Sequence, residues 1–134
     1  MISYAFDTNA AIALLNGTSP RLAGRLFAQT PGSVALPTIV AHELYWGAFR
    51  SRHVERNLEN LRALASELPL LDFDAADARV AGELRATLAA RGATIGPYDV
   101  LIAGQAKARG LILVTNNVKE FGRVEGLTVE DWTR

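Results

Sequence analysis

Four stretches of this 134-residue chain place acidic or amide side chains where predicted strands end or predicted helices begin. They contain Asp7, Glu43, Asp99 and the turn from Asn117 to Glu120. In an open α/β sheet such positions gather at the carboxyl edge, where ligands bind. Two carboxylates separated by about 4 Å repel each other by about 4 kcal/mol at an effective dielectric of about 20, so a cation or protons must accompany them. The spacing therefore predicts a cation site built from acids.

The residue types restrict which cation such a site would bind. The chain has no cysteine and only two histidines, which disfavours thiolate and multi-histidine zinc sites. Carboxylate oxygens suit Mg²⁺, with Mn²⁺ as the other candidate, and Mg²⁺ usually binds together with substrate phosphates. Such ions activate water and stabilise the oxyanions of phosphodiester displacement. The favoured chemistry is metal-assisted hydrolysis.

Each acid taken alone also has a structural explanation. Asp7 suits an N-cap, and Asp99 in a first helical turn complements the helix dipole. Glu43 shares a helical face with Ile39 and Trp46, either at an exposed edge or as an embedded acid that needs a partner. These explanations stay open for the single residues, and only the joint placement favours a functional site.

Apolar runs and turn residues predict the elements that position these side chains. Predicted strands cover 2–6, 33–36, 68–73, 111–114 and 127–129. Predicted helices follow Asp7, open at Ser19-Pro20 and Pro37-Thr38, continue through the basic stretch, run from Asp74 to Arg91, and begin again at Pro97. This alternation predicts an α/β domain, residues 1–134, with a central, mostly parallel sheet flanked by helices.

Charge and hydropathy narrow the possible partners. Lys plus Arg and Asp plus Glu are both 14, so the net charge gives no argument for a polyanionic ligand. The most basic region, Arg50 to Arg62, fits a solvated helix paired with Glu55 and Glu59, or alternatively a ridge that contacts phosphates. No segment approaches about 18 uncharged apolar residues, and no basic leader opens the chain. We therefore expect a cytoplasmic protein without a membrane partner.

The motifs around the acids resemble those of the PIN-domain ribonuclease toxins of the VapC type. The resemblance runs nearly from end to end, with four motifs in order at suitable spacing. The matching stretches are Phe-Asp7-Thr-Asn, Glu43-Leu-Tyr-Trp-Gly, Gly-Pro-Tyr-Asp99-Val-Leu-Ile-Ala-Gly, and Val-Thr-Asn-Asn117-Val-Lys-Glu120-Phe with Gly126-Leu and Glu-Asp131-Trp after it. The resemblance implies a PIN-like fold and a dimeric, Mg²⁺-dependent endoribonuclease. It also implies a VapB-type antitoxin that inhibits the toxin and alone contacts operator DNA.

The resemblance assigns roles to individual residues. The acidic metal ligands it implies are Asp7, Glu43 and Asp99. Asn117, counted with them as catalytic, stands where many family members have a fourth acid. An amide supplies an oxygen without charge, so a second metal would be weak, absent or partly supported by Glu120. Thr115 and Asn9 are expected to orient the carboxylates.

The substrate is narrowed by resemblance only. The Gly-Pro-Tyr-Asp and Thr-Asn-Asn combination is similar to the branch of the family that cuts the anticodon loop of initiator tRNA. Unpaired bases of a loop can be splayed out and stacked on aromatic side chains. Tyr45, Trp46 and Phe49 fit either a groove for RNA or antitoxin, or ordinary core or dimer packing.

Two other functions remain as alternatives. Asn117 favours a catalytically inactive PIN-like module that binds RNA or a partner, whereas the intact acids argue against it. A phosphatase of the haloacid-dehalogenase kind would use Asp7 as nucleophile, but it needs a second acid where this chain has Asn9. Calorimetric titration with Mg²⁺ or Mn²⁺ separates the nuclease from the binding module.

Overall fold

A parallel five-stranded sheet forms the centre of the computed structural model, which describes residues 1–134. The strands are Tyr4–Phe6 (β1), Val34–Pro37 (β2), Leu70–Leu71 (β3), Ile112–Val114 (β4) and Val129–Glu130 (β5). Their order is β3-β2-β1-β4-β5, and every neighbouring pair is parallel. The chain winds outward from β1 in one direction and then returns to wind outward through β4. Open α/β sheets commonly bind ligands at the carboxyl edge beside such a switch point, which here lies between β1 and β4.

Seven helices connect and cover the strands. They are Thr8–Asn16 (α1), Pro20–Phe27 (α2), Thr38–Phe49 (α3), Val54–Glu67 (α4), Ala75–Ala90 (α5), Pro97–Ala108 (α6) and Val118–Phe121 (α7). Local chemistry sets the starts: Ser19 caps α2, Asp74 and Asp77 form a capping box at α5, and proline occupies the first position of α2 and α6. None of these helices has the length and apolar character needed to cross a lipid bilayer.

The core fixes the elements that carry the acids. Trp132 is fully buried and packs edge-on against Tyr4 and Phe6, with ring centroids 5.0 and 5.7 Å away. At the crossing of α5 and α6, a Cβ added to Gly104 would lie only 2.5 Å from the Cβ of Ala81. Glycine therefore lets the two helices approach closely, which holds α6 and its first turn in place.

The predicted parallel α/β architecture is confirmed, with differences at the edges of the sheet. The strand predicted over 68–73 is only Leu70–Leu71, because Pro69 has no N–H for a ladder and contributes its carbonyl alone, to Leu36 N–H at 2.9 Å. The last strand is Val129–Glu130, two residues later than predicted at its start. Both differences fall in edge strands. An edge strand pairs with a neighbour on one side only, so the sequence pattern that marks its ends is weaker.

The basic stretch and its neighbouring aromatics lie on the surface. Within α4 the one ion pair is Arg62 to Glu59 at 3.4 Å, and it is exposed, so it contributes little stability. Trp46 is 57% exposed and lies beneath the Arg50 guanidinium, whose Cζ is 3.4 Å from the ring centroid. Tyr45 and Phe49 are also exposed. The interpretation of these aromatics as core residues of the chain is therefore wrong.

Candidate active site

Asp7 stands at the switch point, immediately after β1. Its side chain is buried, caps α1 by accepting the Ala10 N–H at 2.8 Å, and accepts the Thr115 hydroxyl at 2.5 Å. Thr115 follows β4, the strand beside β1, so the two residues meet because their strands are neighbours. Thr115 in turn accepts the Asn117 N–H at 2.9 Å. Asp7 is thus held by one backbone and one side-chain donor, both uncharged.

Glu43 projects from α3 toward the start of α1. It is half-buried and accepts a hydrogen bond of 2.6 Å from the Thr8 hydroxyl. An acid in an apolar stripe needs a partner, and the partner of Glu43 is a neutral hydroxyl rather than a cation. Sequence reasoning missed Thr8, although a hydroxyl next to Asp7 in a first helical turn was a usable signal.

Asp99 and Glu120 form a carboxyl pair. Asp99 lies in the first turn of α6 and shares a hydrogen bond with Glu120 of α7. Glu120 accepts the Gly96 N–H at 3.0 Å and the Asn117 side-chain amide at 2.6 Å. These donors hold Glu120 against Asp99, and a hydrogen bond between two carboxyl groups requires that one of them carries a proton.

The charged groups that act on Asp7 and Asp99 are other carboxylates. None of the ion pairs in the structure includes Asp7, Glu43, Asp99 or Glu120. Burial raises the pKa of Asp7 to about 6 and outweighs the hydrogen bonds from Thr115 and the Ala10 N–H, which lower it. The charges of Glu43 and Glu120 add smaller increases. Burial also raises the pKa of Asp99 to about 7, followed by the hydrogen bond and charge of Glu120. The site favours protons or a cation, as mutual repulsion of carboxylates requires.

The remaining predicted residues fall in different places. Thr115 contacts Asp7, as the prediction of an orienting role requires. Asn9 is exposed and its side chain makes no hydrogen bond, so the orienting contact on α1 is made by Thr8 instead. Asn117 contacts Glu120 through its amide nitrogen, which makes it a support for that acid in this structure.

The donor set has the chemistry of a site for a hard divalent cation, because it offers carboxylate oxygens without histidine or cysteine. The side chains are not arranged as a finished ligand shell: no group of three or more His, Cys, Asp or Glu side chains in the chain is placed to hold a metal ion. Glu43 is turned onto Thr8, and Glu120 onto Asp99. Binding would therefore require these side chains to rotate toward a common point.

Comparisons with known proteins agree with this geometry. The model of the PIN domain family matches residues 4–127, so the chain belongs to the PIN domain family. It is also 41% identical over 133 residues to the tRNA(fMet)-specific endonuclease VapC of Shigella flexneri, covering 99% of this chain and 100% of that protein. Ribonuclease VapC2 of Haemophilus influenzae is 37% identical, with 98% and 99% covered. The chain is therefore a VapC-type member of the family, and the resemblance noted in the motifs is confirmed.

Solved structures extend the agreement to the fold. The DNA-bound VapBC structure from Salmonella typhimurium matches with a TM-score of 0.94 at 39% identity, over 98% of this chain and 99% of that one. VapBC-1 from nontypeable Haemophilus influenzae matches with a TM-score of 0.90 at 32% identity, and both chains are fully covered. The predicted PIN-like fold is confirmed.

Proposed function

We propose that this protein is the toxin of a type II toxin–antitoxin system and acts as a metal-dependent endoribonuclease. One observation carries the proposal: Asp7, after β1, and three carboxylates on α3, α6 and α7 converge at the carboxyl edge of the sheet without a cationic partner. Two of them have pKa values raised to about 6 and about 7. Full-length similarity to VapC ribonucleases supports hydrolysis of RNA as the chemistry. The alternative of a catalytically inactive binding module is not favoured, because it gives no reason for a cluster of carboxylates that no cation neutralises.

The metal is proposed to be Mg²⁺, with Mn²⁺ able to replace it. Asp7, Glu43 and Asp99 would hold it, with Glu120 in support and Asn117 providing at most an uncharged oxygen. What a bound Mg²⁺ contributes is positive charge, which activates water and stabilises phosphate oxyanions. The three ligands lie on separate elements, after β1 and on α3 and α6, so RNA cleavage depends on the tertiary structure.

The residues around the ligands prepare the site. Thr115 and the Ala10 N–H fix the position of Asp7, and Thr8 holds Glu43 at the rim. Burial and the neighbouring Glu120 raise the pKa of Asp99 to about 7, so Asp99 holds a proton below that pH. That proton must leave when a cation enters, so metal affinity should rise with pH up to about 7.

The proposed partners follow from the relatives. The solved VapBC structures support a VapB-type antitoxin as the inhibitor, and operator DNA would be contacted only through it. We also propose a homodimer and a cytoplasmic location, in keeping with the sequence expectation. The proposed substrate is tRNA, and within it the anticodon loop of initiator tRNA, because two similar proteins are named tRNA(fMet)-specific endonucleases.

The experiment is incubation of total tRNA with purified, antitoxin-free protein, followed by gel analysis and end mapping. We expect a discrete fragment with Mg²⁺, none with EDTA, and a loss of about a hundredfold or more in the rate for Asp99→Asn, the scale for removing a proton-transfer or charge-stabilising group. Glu83→Gln is the matched control, because it removes one exposed carboxylate from the middle of α5.

Three outcomes are decisive. Cleavage that needs both metal and Asp99 supports the nuclease. Parent-rate cleavage by Asp99→Asn removes this residue from the mechanism. Absence of cleavage with any divalent metal, by a protein whose thermal melt shows a folded chain, would leave the RNA-binding module as the better account.

A further inference from the structure

Two aromatic rings flank the acidic cluster from different elements. His42 precedes Glu43 on α3, and Tyr98 precedes Asp99 on α6. Their ring centroids are 5.5 Å apart and the planes are inclined by 50°. Tyr98 is 44% exposed, and His42 is exposed as well. The two rings therefore contact each other at the rim and still present surface to solvent.

We propose that His42 and Tyr98 form a stacking platform for one unpaired nucleobase next to the phosphate that is cleaved. The proposal rests on the proposed ribonuclease function and adds the position at which a nucleobase of the RNA substrate binds. A scissile phosphate must lie over Asp7, Glu43 and Asp99, and each nucleobase is only one sugar away from its phosphate. A base flanking that phosphate therefore comes within reach of rings adjacent in sequence to two of the acids.

The geometry suits a base on the outside of the pair rather than between the rings. Rings that already touch leave no gap for an intercalated base, while the inclination of 50° makes an angled surface. Stacking on aromatic side chains stabilises single-stranded nucleic acid for any base, because every base has a π-face. His42 adds ring nitrogens that can hydrogen-bond a base edge. The platform would favour unpaired nucleotides over a duplex, in which bases are already stacked.

The local backbone keeps the platform in register with the acids. Pro97 opens α6 with a restricted φ, so that Tyr98 and Asp99 occupy its first turn together. The Gly96 N–H is bonded to Glu120, which ties the same turn to α7. His42 and Glu43 are likewise adjacent on one helix. A shift of either ring would thus accompany a shift of a carboxylate.

The test measures binding separately from cleavage. The probe is an RNA stem–loop with 2-aminopurine placed in turn at each unpaired position, titrated with the protein in EDTA. We expect Tyr98→Ala and His42→Ala each to weaken binding by about tenfold and to abolish a change of 2-aminopurine fluorescence at one position. Tyr98→Phe and His42→Phe, which keep a flat ring, should retain most of the affinity. The double alanine variant should lose less than the product of the single effects, because both rings serve one base.

Phe27→Ala is the matched control. Phe27 is 76% exposed at the end of α2, shortly before β2 begins, and so belongs to the amino edge of the sheet. Its removal should leave RNA affinity unchanged. Steady-state cleavage with Mg²⁺ adds a second readout, since loss of a stacking contact should raise KM more than it lowers kcat.

The outcomes separate this inference from the proposed function. Parent affinity in both alanine variants, with a wild type that cleaves tRNA, overturns the platform and leaves the ribonuclease intact. An equal loss in Phe27→Ala overturns it too, because the effect would not be local. Unchanged RNA binding with weakened inhibition by the cognate antitoxin would assign the rings to a protein interface instead. A wild type that neither binds nor cleaves RNA would refute both proposals.

Discussion

Two buried aspartates, Asp7 and Asp77, occupy similar places at the start of a helix and have opposite surroundings. Asp7 caps α1 and is 2% exposed, and Asp77 lies in the first turn of α5 and is 1% exposed. The Arg109 guanidinium donates to Asp77 at 2.9 and 3.2 Å, and the Gln105 amide donates at 3.0 Å. Asp7 has no cation within ion-pair distance, and its charged neighbours are Glu43 and Glu120.

The titration of the two residues follows from these surroundings. Burial opposes ionisation of Asp77, but the hydrogen bonds from Arg109, the Asp74 backbone and Gln105 outweigh it and hold the pKa below its ordinary value. Burial of Asp7 is not compensated in this way, so the pKa of Asp7 rises to about 6. A buried carboxylate that has its own cation is explained by the fold. A buried carboxylate facing other acids destabilises the fold when it is ionised, and a proton or a bound cation would offset that cost.

The largest change expected in this comparison is a loss of stability on breaking the Asp77 cluster. Asp77→Ala should lower the free energy of unfolding by about 3 kcal/mol at neutral pH, because it removes the capping box and leaves Arg109 with only the exposed Asp74 carboxylate, 3.4 Å away, as an ion-pair partner. Since the folded pKa lies below 3.8, this contribution is present above about pH 4 and is lost as the pH falls further. Urea unfolding measures the difference.

Asp72→Ala is the control for that variant, because Asp72 accepts its hydrogen bond from Arg109 at the backbone carbonyl and its exposed side chain acts on Arg109 only weakly, through its charge. It should change the free energy of unfolding by no more than about 0.5 kcal/mol. Equal unfolding midpoints for Asp77→Ala and the parent protein would show that the contacts between Asp77 and Arg109 do not stabilise the fold.

A smaller and opposite effect is expected at Asp7. Asp7→Asn should raise the free energy of unfolding of the metal-free protein by about 2 kcal/mol at neutral pH, since it removes a charge that the folded state disfavours. The folded pKa of about 6 exceeds 3.8, so the parent loses stability as the pH rises between these values. The advantage of Asn is therefore small below about pH 4 and complete above about pH 6.

Thermal melts in EDTA across that pH range measure the effect, and addition of Mg²⁺ provides the control. Ligand binding stabilises the folded state only where a site exists, so Mg²⁺ should stabilise the parent more than the variant. A variant that melts below the parent at neutral pH without metal would contradict the unfavourable charge assigned to Asp7.

The smallest effect is expected at the edge of the acidic cluster. Asn117→Asp replaces the amide that donates to Glu120 at 2.6 Å with a further carboxylate, which should destabilise the metal-free protein by about 1 kcal/mol. The added charge should tighten Mg²⁺ or Mn²⁺ binding several-fold in calorimetry, because ligand charge tunes metal affinity. Asn117→Ala removes the donor without adding charge and should not tighten binding. Unchanged affinity in Asn117→Asp would place position 117 outside the metal shell.

Much of the architecture followed from local patterns in the chain. Asp7 directly follows the first strand, and Asp99 follows a Gly-Pro turn into an apolar helix, so both could be assigned to helix starts at one sheet edge. Strands alternating with helices favoured a parallel sheet, since parallel strands need crossover connections. The helix predicted to run from Asp74 is also local in origin, since Asp74 caps α5 and capping depends on neighbours within a few residues.

Local sequence patterns could not predict which residues the acids contact. Asp77 and Arg109 are 32 residues apart, and Thr8 and Glu43 are 35 apart. Hydrogen bonds over such separations depend on how helices pack, as at the close approach of Gly104 and Ala81, which no spacing rule encodes.

The sequence by itself determined which acids the chain carries, that they stand at element ends, and that neither cysteine nor a histidine cluster accompanies them. These properties are local, because propensity, capping and ligand type belong to single residues and short windows. Only the tertiary structure decided that Asp77 is neutralised by Arg109, while Asp7 and Asp99 face Glu43 and Glu120 without a cation. Charge interaction depends on distance in space and on burial, and both are fixed when the helices close around the sheet.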